Sequence, residues 1–279
     1  MSGINLGTLV TFNPWTVGPT ALLDEVGARF AELGVHHVPV VDADRRLVGV
    51  LSETDLLRAR QSRRTGPNGN GLADTDDAPL VFARDVMSRQ VVSIPLTAGF
   101  AEALALQLER RIHSLPVVDQ DRLMGMICSR DFLREFSYGE LDCSRDPVSR
   151  VLKGPALPPL APEATLDEAL LAMHEAGVAC LAVAQGDCPL GVISVRDIVR
   201  EKCRLEEQAE DHPETQPVAT VLRILRNSPP IRSGQRLCEA AAAMVDHTLP
   251  AVTVVNQSNR LLGLVTEDDL LRVMYDALA

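Results

Sequence analysis

Aromatic residues are scarce in this 279-residue chain, which has six Phe, two Tyr and one Trp. Platforms that stack single-stranded bases are built from such rings, so that role has little to work with here. Basic residues are in the minority too: 27 Lys and Arg stand against 38 Asp and Glu, and the net charge of −11 repels phosphate backbones at large. No nucleic-acid partner is therefore expected. No apolar run approaches the ~18 residues of a membrane-spanning helix, so no membrane association is expected either. The N-terminal stretch lacks a basic region ahead of an apolar core, which argues against a secretory signal. Six cysteines, at 128, 143, 180, 188, 203 and 238, form no CxxC pair. They read as reduced, small, mostly core residues of a cytoplasmic protein. Also missing are a G-x-x-x-x-G-K-[ST] phosphate loop, an H-E-x-x-H or other Cys/His metal spacing, and a G-x-S-x-G elbow. No catalytic residue, metal or catalytic cofactor is expected, and the chain reads as a regulator and not an enzyme.

What is present is enough to bury a core: 46% of residues are apolar and 23% charged. The length suggests about two domains. One ten-residue motif recurs four times, as Gly49-Val-Leu-Ser52-Glu-Thr-Asp55-Leu-Leu-Arg58, Gly125-Met-Ile-Cys128-Ser-Arg-Asp131-Phe-Leu-Arg134, Gly191-Val-Ile-Ser194-Val-Arg-Asp197-Ile-Val-Arg200 and Gly263-Leu-Val-Thr266-Glu-Asp-Asp269-Leu-Leu-Arg272. Such internal repetition is the first thing a fold must explain. Upstream of each copy lies a short β-branched run: Val38-Pro39-Val-Val-Asp42, Leu115-Pro116-Val-Val-Asp119, Leu181-Ala182-Val183 and Val252-Thr-Val-Val255. These predict buried strands. Leu23, Val26, Phe30 and Leu33, and likewise Leu166, Ala169, Leu170 and Met173, keep helical spacing before the strands. Gly34 and Gly177 follow as left-handed helix ends. Each motif reads as strand, turn and helix. The stretch from Gln61 to Leu80, rich in Gly, Pro and Asp, predicts a mobile loop. Tyr138 to Asp146 is a short join, and Arg204 to Gln216 extends a helix before looping. Repeats are placed at about 8–60, 82–137, 148–203 and 217–279.

These residues resemble CBS domains, and Arg84-Asp-Val-Met87 through Phe132 carries the likeness most clearly. In that family domains pair, so the resemblance implies an α/β (α+β) protein of four β-α-β-β-α repeats in two pseudo-symmetric pairs, 1–140 and 146–279. Clefts within such pairs often hold adenosine-containing ligands: AMP, ADP, ATP, S-adenosylmethionine or dinucleotides. The implied function is that of a sensor that binds an adenosyl nucleotide as a regulatory ligand and changes conformation or affinity for a regulated protein partner. The alternative is a ligand-free structural or dimerising module. A single chain closing a disc and a homodimer both stay open.

The motif carries both readings. An ionised Asp accepts two hydrogen bonds, which suits a ribose diol. By resemblance Asp55, Asp131, Asp197 and Asp269 are ribose ligands, with Ser52, Ser194 and Thr266 beside phosphate or ribose at a helix N-terminus. The motif Gly permits close backbone approach. Yet [ST]-x-x-[DE] also resembles a capping box, which needs no ligand. Cys128 replaces the hydroxyl in the second copy and weakens any site there. Arg58, Arg134, Arg200 and Arg272 stand one turn past each Asp, to reach phosphate or simply to pair with the Asp. Arg130 and Arg196 are further phosphate candidates. His36, His37 and His113 precede the Pro-containing strands, near where basic residues touch phosphate in relatives. The third copy has Ala182 in place of Pro. The fourth carries its Pro250 three residues early, which predicts a reshaped cleft wall.

Overall fold

The computed structural model describes residues 6–65, 81–152, 158–211 and 221–278. The first repeat holds β1 (Thr11–Phe12), α1 (Leu23–Leu33), β2 (His37–Val41), β3 (Leu47–Ser52) and α2 (Glu53–Thr65). The second has α3 (Ala83–Val86), β4 (Ile94–Pro95), α4 (Phe100–Arg110), β5 (Ser114–Asp119), β6 (Arg122–Cys128) and α5 (Ser129–Ser137). The third contains α6 (Leu166–Ala176), β7 (Cys180–Gln185), β8 (Cys188–Ser194) and α7 (Val195–Asp211). In the fourth are β9 (Ile231–Arg232), α8 (Leu237–Asp246), β10 (Ala251–Val255), β11 (Leu261–Thr266) and α9 (Glu267–Leu278). The chain forms two compact units, Met1–Cys128 and Ser129–Ala279.

One correction concerns the first linker. Gln61 to Thr65 continues α2 and is not loop. Arg and Gln are good helix formers, and the breakers Gly66 and Pro67 come only after Thr65. The rest of that predicted loop lies outside the described residues.

Each motif hairpin is antiparallel, with its bulge at the same place. Val40, Val117, Val183 and Val254 face Gly49, Gly125, Gly191 and Gly263, and the register shifts at the next residue. The fourth hairpin therefore aligns fully with the others despite its early proline: Thr253 stands where Pro39, Pro116 and Ala182 stand. The helix before each hairpin, α1, α4, α6 and α8, is followed by a left-handed residue, Gly34 (φ 63°), Arg111 (52°), Gly177 (65°) and Thr248 (55°). Glycine does this without strain; the β-branched Thr248 does not.

In the first unit, α1 lays Leu23, Val26 and Phe30 onto Val38, Val40 and Leu51, and Trp15 meets Phe30 edge-on at 5.9 Å. In the second, Leu166, Ala169 and Met173 of α6 pack on Leu181, Val183, Ile193 and Ile198. Period-3.6 and period-2 apolar faces meet, as amphipathic elements require.

The repeats are tied in pairs by crossing segments. Thr11 lies antiparallel to Met126 of β6, Ser88 to Val50 of β3, and Arg226 to Val192 of β8. Each crossing residue faces the position just after a motif glycine. Thr11, Ser88 and Arg226 are thus structural equivalents, although nothing in their chemistry relates them.

Candidate functional site

The second helix of each repeat starts right after its hairpin, so the motif Ser or Thr ends a strand and the Asp sits in the first helical turn. Ser52 donates to Asp55 Oδ2 from its N–H at 3.0 Å and its Oγ at 2.6 Å, and Asp55 N–H returns a bond to Ser52 Oγ at 3.1 Å. Ser194 and Asp197 repeat this at 3.0, 2.6 and 3.3 Å. Thr266 and Asp269 do so at 3.0, 2.7 and 3.3 Å. The capping geometry is therefore real in three copies. It uses Oδ2 only. The preceding turn is also satisfied internally: Glu53 N–H donates to His36 O, Val195 N–H to Ala179 O and Glu267 N–H to Pro250 O.

Oδ1 stands outside this cap, and Asp55, Asp131 and Asp197 differ there. At half-buried Asp55, Oδ1 takes no hydrogen bond among the described residues. At Asp131, Oδ1 accepts from Arg134 Nη1 at 3.2 Å, the ordinary ion pair along a helix. At Asp197, Oδ1 accepts from Arg226 Nε at 2.8 Å and Nη2 at 2.6 Å, and Arg226 Nη1 donates to Thr248 O at 2.9 Å. Arg58, Arg200 and Arg272 are exposed. Arg58 and Arg272 have no carboxylate within ion-pair distance among the described residues.

Three of the motif glycines make room for a crossing segment. A Cβ on Gly191 would lie 2.3 Å from the Arg226 carbonyl oxygen, and one on Gly125 would lie 2.3 Å from Val10 Cγ1 and 2.9 Å from Thr11 O. On Gly49 it would meet Met87 Sδ at 2.4 Å. The crossing segment of the sister repeat takes the space a side chain would need.

The histidines do not form one set. His37 pairs with Ser52, whereas the residue paired with Cys128 is Ser114. His113 is thus the register mate of His36 and not of His37, and one residue along a strand means the opposite face. His36 Nδ1 lies 2.9 Å from Glu53 Oε2. His37 is half-buried and His113 exposed. His247 ends α8, away from this register.

Cys180 takes the His37 position in the third repeat, opposite Ser194. Burial pushes its thiol up to about 12, and the carboxylates of Glu267, Asp197 and Asp268 push the same way. Cys188 at the other end of the hairpin is exposed. Nucleophilicity needs thiolate. Iodoacetamide at pH 8 should therefore label Cys188 at least about tenfold faster than Cys180, read by peptide mass spectrometry; equal rates would contradict the burial described.

Two open clefts lie at the hairpin ends of the first unit, about 230 Å³ beside Phe12, Arg45 and Arg122, and about 360 Å³ beside Asp42, Arg46, Arg89 and Asp121. Neither is lined by Ser52 or Asp55. Among the described residues no cluster suited to a metal occurs, and no helix is long and apolar enough to cross a membrane.

Sequence reasoning missed Arg226, Thr248 and the crossing residues. The available signal was the alignment of repeat openings: setting Met87 against Leu225, the neighbours of Gly49 and Gly191, places Ser88 opposite Arg226.

Comparison with known proteins agrees with this architecture. An uncharacterised protein of Methanocaldococcus jannaschii, MJ1225, is 23% identical over 273 residues, covering 92% of this chain and 94% of that protein. Its crystal structure, described there as a proposed archaeal homologue of g-AMPK, superposes with a TM-score of 0.73 at 20% identity, over 97% of this chain and all of that one. A conserved protein from Pyrococcus horikoshii gives 0.65 at 18% identity, again over 97% of this chain and all of that one. Two further relatives match in part. The chain spans 65% of an uncharacterised Methanopyrus kandleri protein at 26% identity. It spans 36% of an inosine-5'-monophosphate dehydrogenase from Nitrosopumilus maritimus, also at 26% identity. The CBS domain model matches residues 6–62, 83–138, 144–203 and 223–276. These four segments are the ones that hold the hairpins and the capped helices. With most of its length so matched, the chain belongs to the CBS domain family.

Proposed function

We propose that this chain is a regulatory sensor that binds an adenosyl nucleotide, of the AMP, ADP, ATP or S-adenosylmethionine class, where the first motif meets its crossing segment. The observation that carries this reading is the half-used carboxylate of Asp55. Oδ2 is spent on the cap, while Oδ1 has no protein partner among the described residues, and Ser88 of the crossing segment pairs with Val50, five residues before Asp55. A ribose hydroxyl donates well to such an oxygen. Thr54 lies at the start of α2, where the dipole favours phosphate, and exposed Arg58 follows one turn on. Clefts of this family often hold such ligands, and the position of Asp55 in the motif matches. The ligand acts on conformation only through different affinity for two states. Those states would alter affinity for a regulated protein partner or a second copy of the chain. The five described cysteines are free thiols, which supports a reducing compartment such as the cytoplasm.

A thermal-shift panel of AMP, ADP, ATP, S-adenosylmethionine and cyclic dinucleotides tests the reading. Ligand at 100 times Kd adds about 2.7 kcal/mol of stability. Asp55→Ala should weaken binding about 100-fold, from two charge-assisted hydrogen bonds at about 1.5 kcal/mol each. Asp55→Asn, which keeps an acceptor for the cap, should weaken it too. The intact capping boxes favour a second reading, a ligand-free structural module. That reading predicts no shift from any compound at millimolar concentration, and loss of only about 1 kcal/mol of stability in Asp55→Ala.

A further inference from the structure

Of the three crossing residues that face the position after a motif glycine, Thr11 and Ser88 carry short hydroxyls and Arg226 a guanidinium. Each of its three nitrogens has a protein partner. Nε and Nη2 hold Asp197 Oδ1 at 2.8 and 2.6 Å, and Nη1 reaches Thr248 O at 2.9 Å. Asp197 Oδ2 is already held by Ser194, and the side chain is only 6% exposed. Thr248, which presents the carbonyl, sits at φ 55° in the left-handed region, a conformation a β-branched residue avoids. The crossing segment is itself locked to β8 by Arg226 N–H to Val192 O and Val192 N–H to Arg226 O, both 3.1 Å. Arg226 thus supplies Asp197 Oδ1 with donors and a positive charge.

We propose that Arg226 is a built-in occupant of the third motif that closes Asp197 to ribose, so that it decides whether that motif binds ligand. The proposal rests on the adenosyl-binding reading. Two neutral hydroxyls offer Asp197 less than the fork already there, because a charge-assisted pair is stronger and its displacement would strand a part-buried guanidinium. At Asp55 the same position holds Ser88, which leaves Oδ1 open. Repeats with nearly identical motifs therefore differ in binding through one residue outside the motif.

The reciprocal exchange tests this. Titration calorimetry with AMP, ATP and S-adenosylmethionine on the full chain should show that Asp197→Asn changes neither the number of sites nor the affinity by more than twofold. Asp55→Asn should remove a site. Ser88→Arg should weaken that site at least tenfold, and Arg226→Ser should add one site, which Asp197→Asn then removes in the same chain. Circular dichroism checks that Arg226→Ser folds. Should it not fold, Ser88→Arg and the single Asp197→Asn variant decide the matter. Loss of a site in Asp197→Asn alone, or no new site in folded Arg226→Ser, overturns the role of Arg226 while Asp55-dependent binding stands. No binding of any probe to the unaltered chain or to Arg226→Ser overturns the adenosyl reading, and this proposal with it.

Discussion

Gly191→Ala should destabilise the second unit by about 2–3 kcal/mol, measured from the urea midpoint. An alanine usually gains about 0.4–1 kcal/mol over glycine by restricting the unfolded chain, so the folded-state penalty must be larger still. Its source is the Arg226 carbonyl oxygen, 2.3 Å from the new Cβ. That oxygen belongs to backbone and is held by Val192 N–H at 3.1 Å, so it yields only if the crossing segment lifts off β8. Gly125→Ala should come next. It meets Val10 Cγ1, a stiff β-branched side chain, and Thr11 O. Gly49→Ala should be mildest, within about 1 kcal/mol, because the nearest atom is the sulfur of Met87, on a side chain with three rotatable bonds. The order Gly191, Gly125, Gly49 is the test. Were the glycines present for ligand approach alone, all three would tolerate alanine and lose only binding.

Arg226→Met should cost about 2–3 kcal/mol, toward the low end for breaking a buried ion pair because the arginine side chain is 27% exposed. The loss comes from leaving the Asp197 carboxylate, 6% exposed, with its capping donors only. Asp197→Asn removes the buried charge and should cost less. The double variant Asp197→Asn/Arg226→Met should recover part of the loss, with a coupling of about 1.5 kcal/mol. A coupling near zero would mean the two side chains do not meet in solution.

Local order was legible where it depends on near neighbours. The helical spacing from Leu23 to Leu33 and from Leu166 to Met173 matches α1 and α6, and Gly34 and Gly177 end those helices in the left-handed region as expected. At Arg111 and Thr248 the same left-handed turn forms without glycine. There the hairpin that follows imposes the turn, and no residue type advertises it. The early Pro250 suggested a reshaped cleft wall, yet the strand after it keeps the common register. Facing residues on β11 set that register, and the proline lies outside it. His37 and His113 looked alike by distance from the motif and differ by one strand position, which reverses the face.

The choice between cap and ligand site could not be read from Ser-x-x-Asp, since both uses need the same atoms in the same helical turn. By itself the sequence determined the four repeats, their hairpins, the capped helices and the family, because apolar period, turn chemistry and capping act over a few residues. Only the tertiary structure decided what stands against the first three motifs. Thr11, Ser88 and Arg226 arrive from the sister repeat by strand crossing, so whether Asp197 keeps an open oxygen depends on a residue far from it in the chain. The charge of the guanidinium, placed there by packing, separates Asp197 from Asp55.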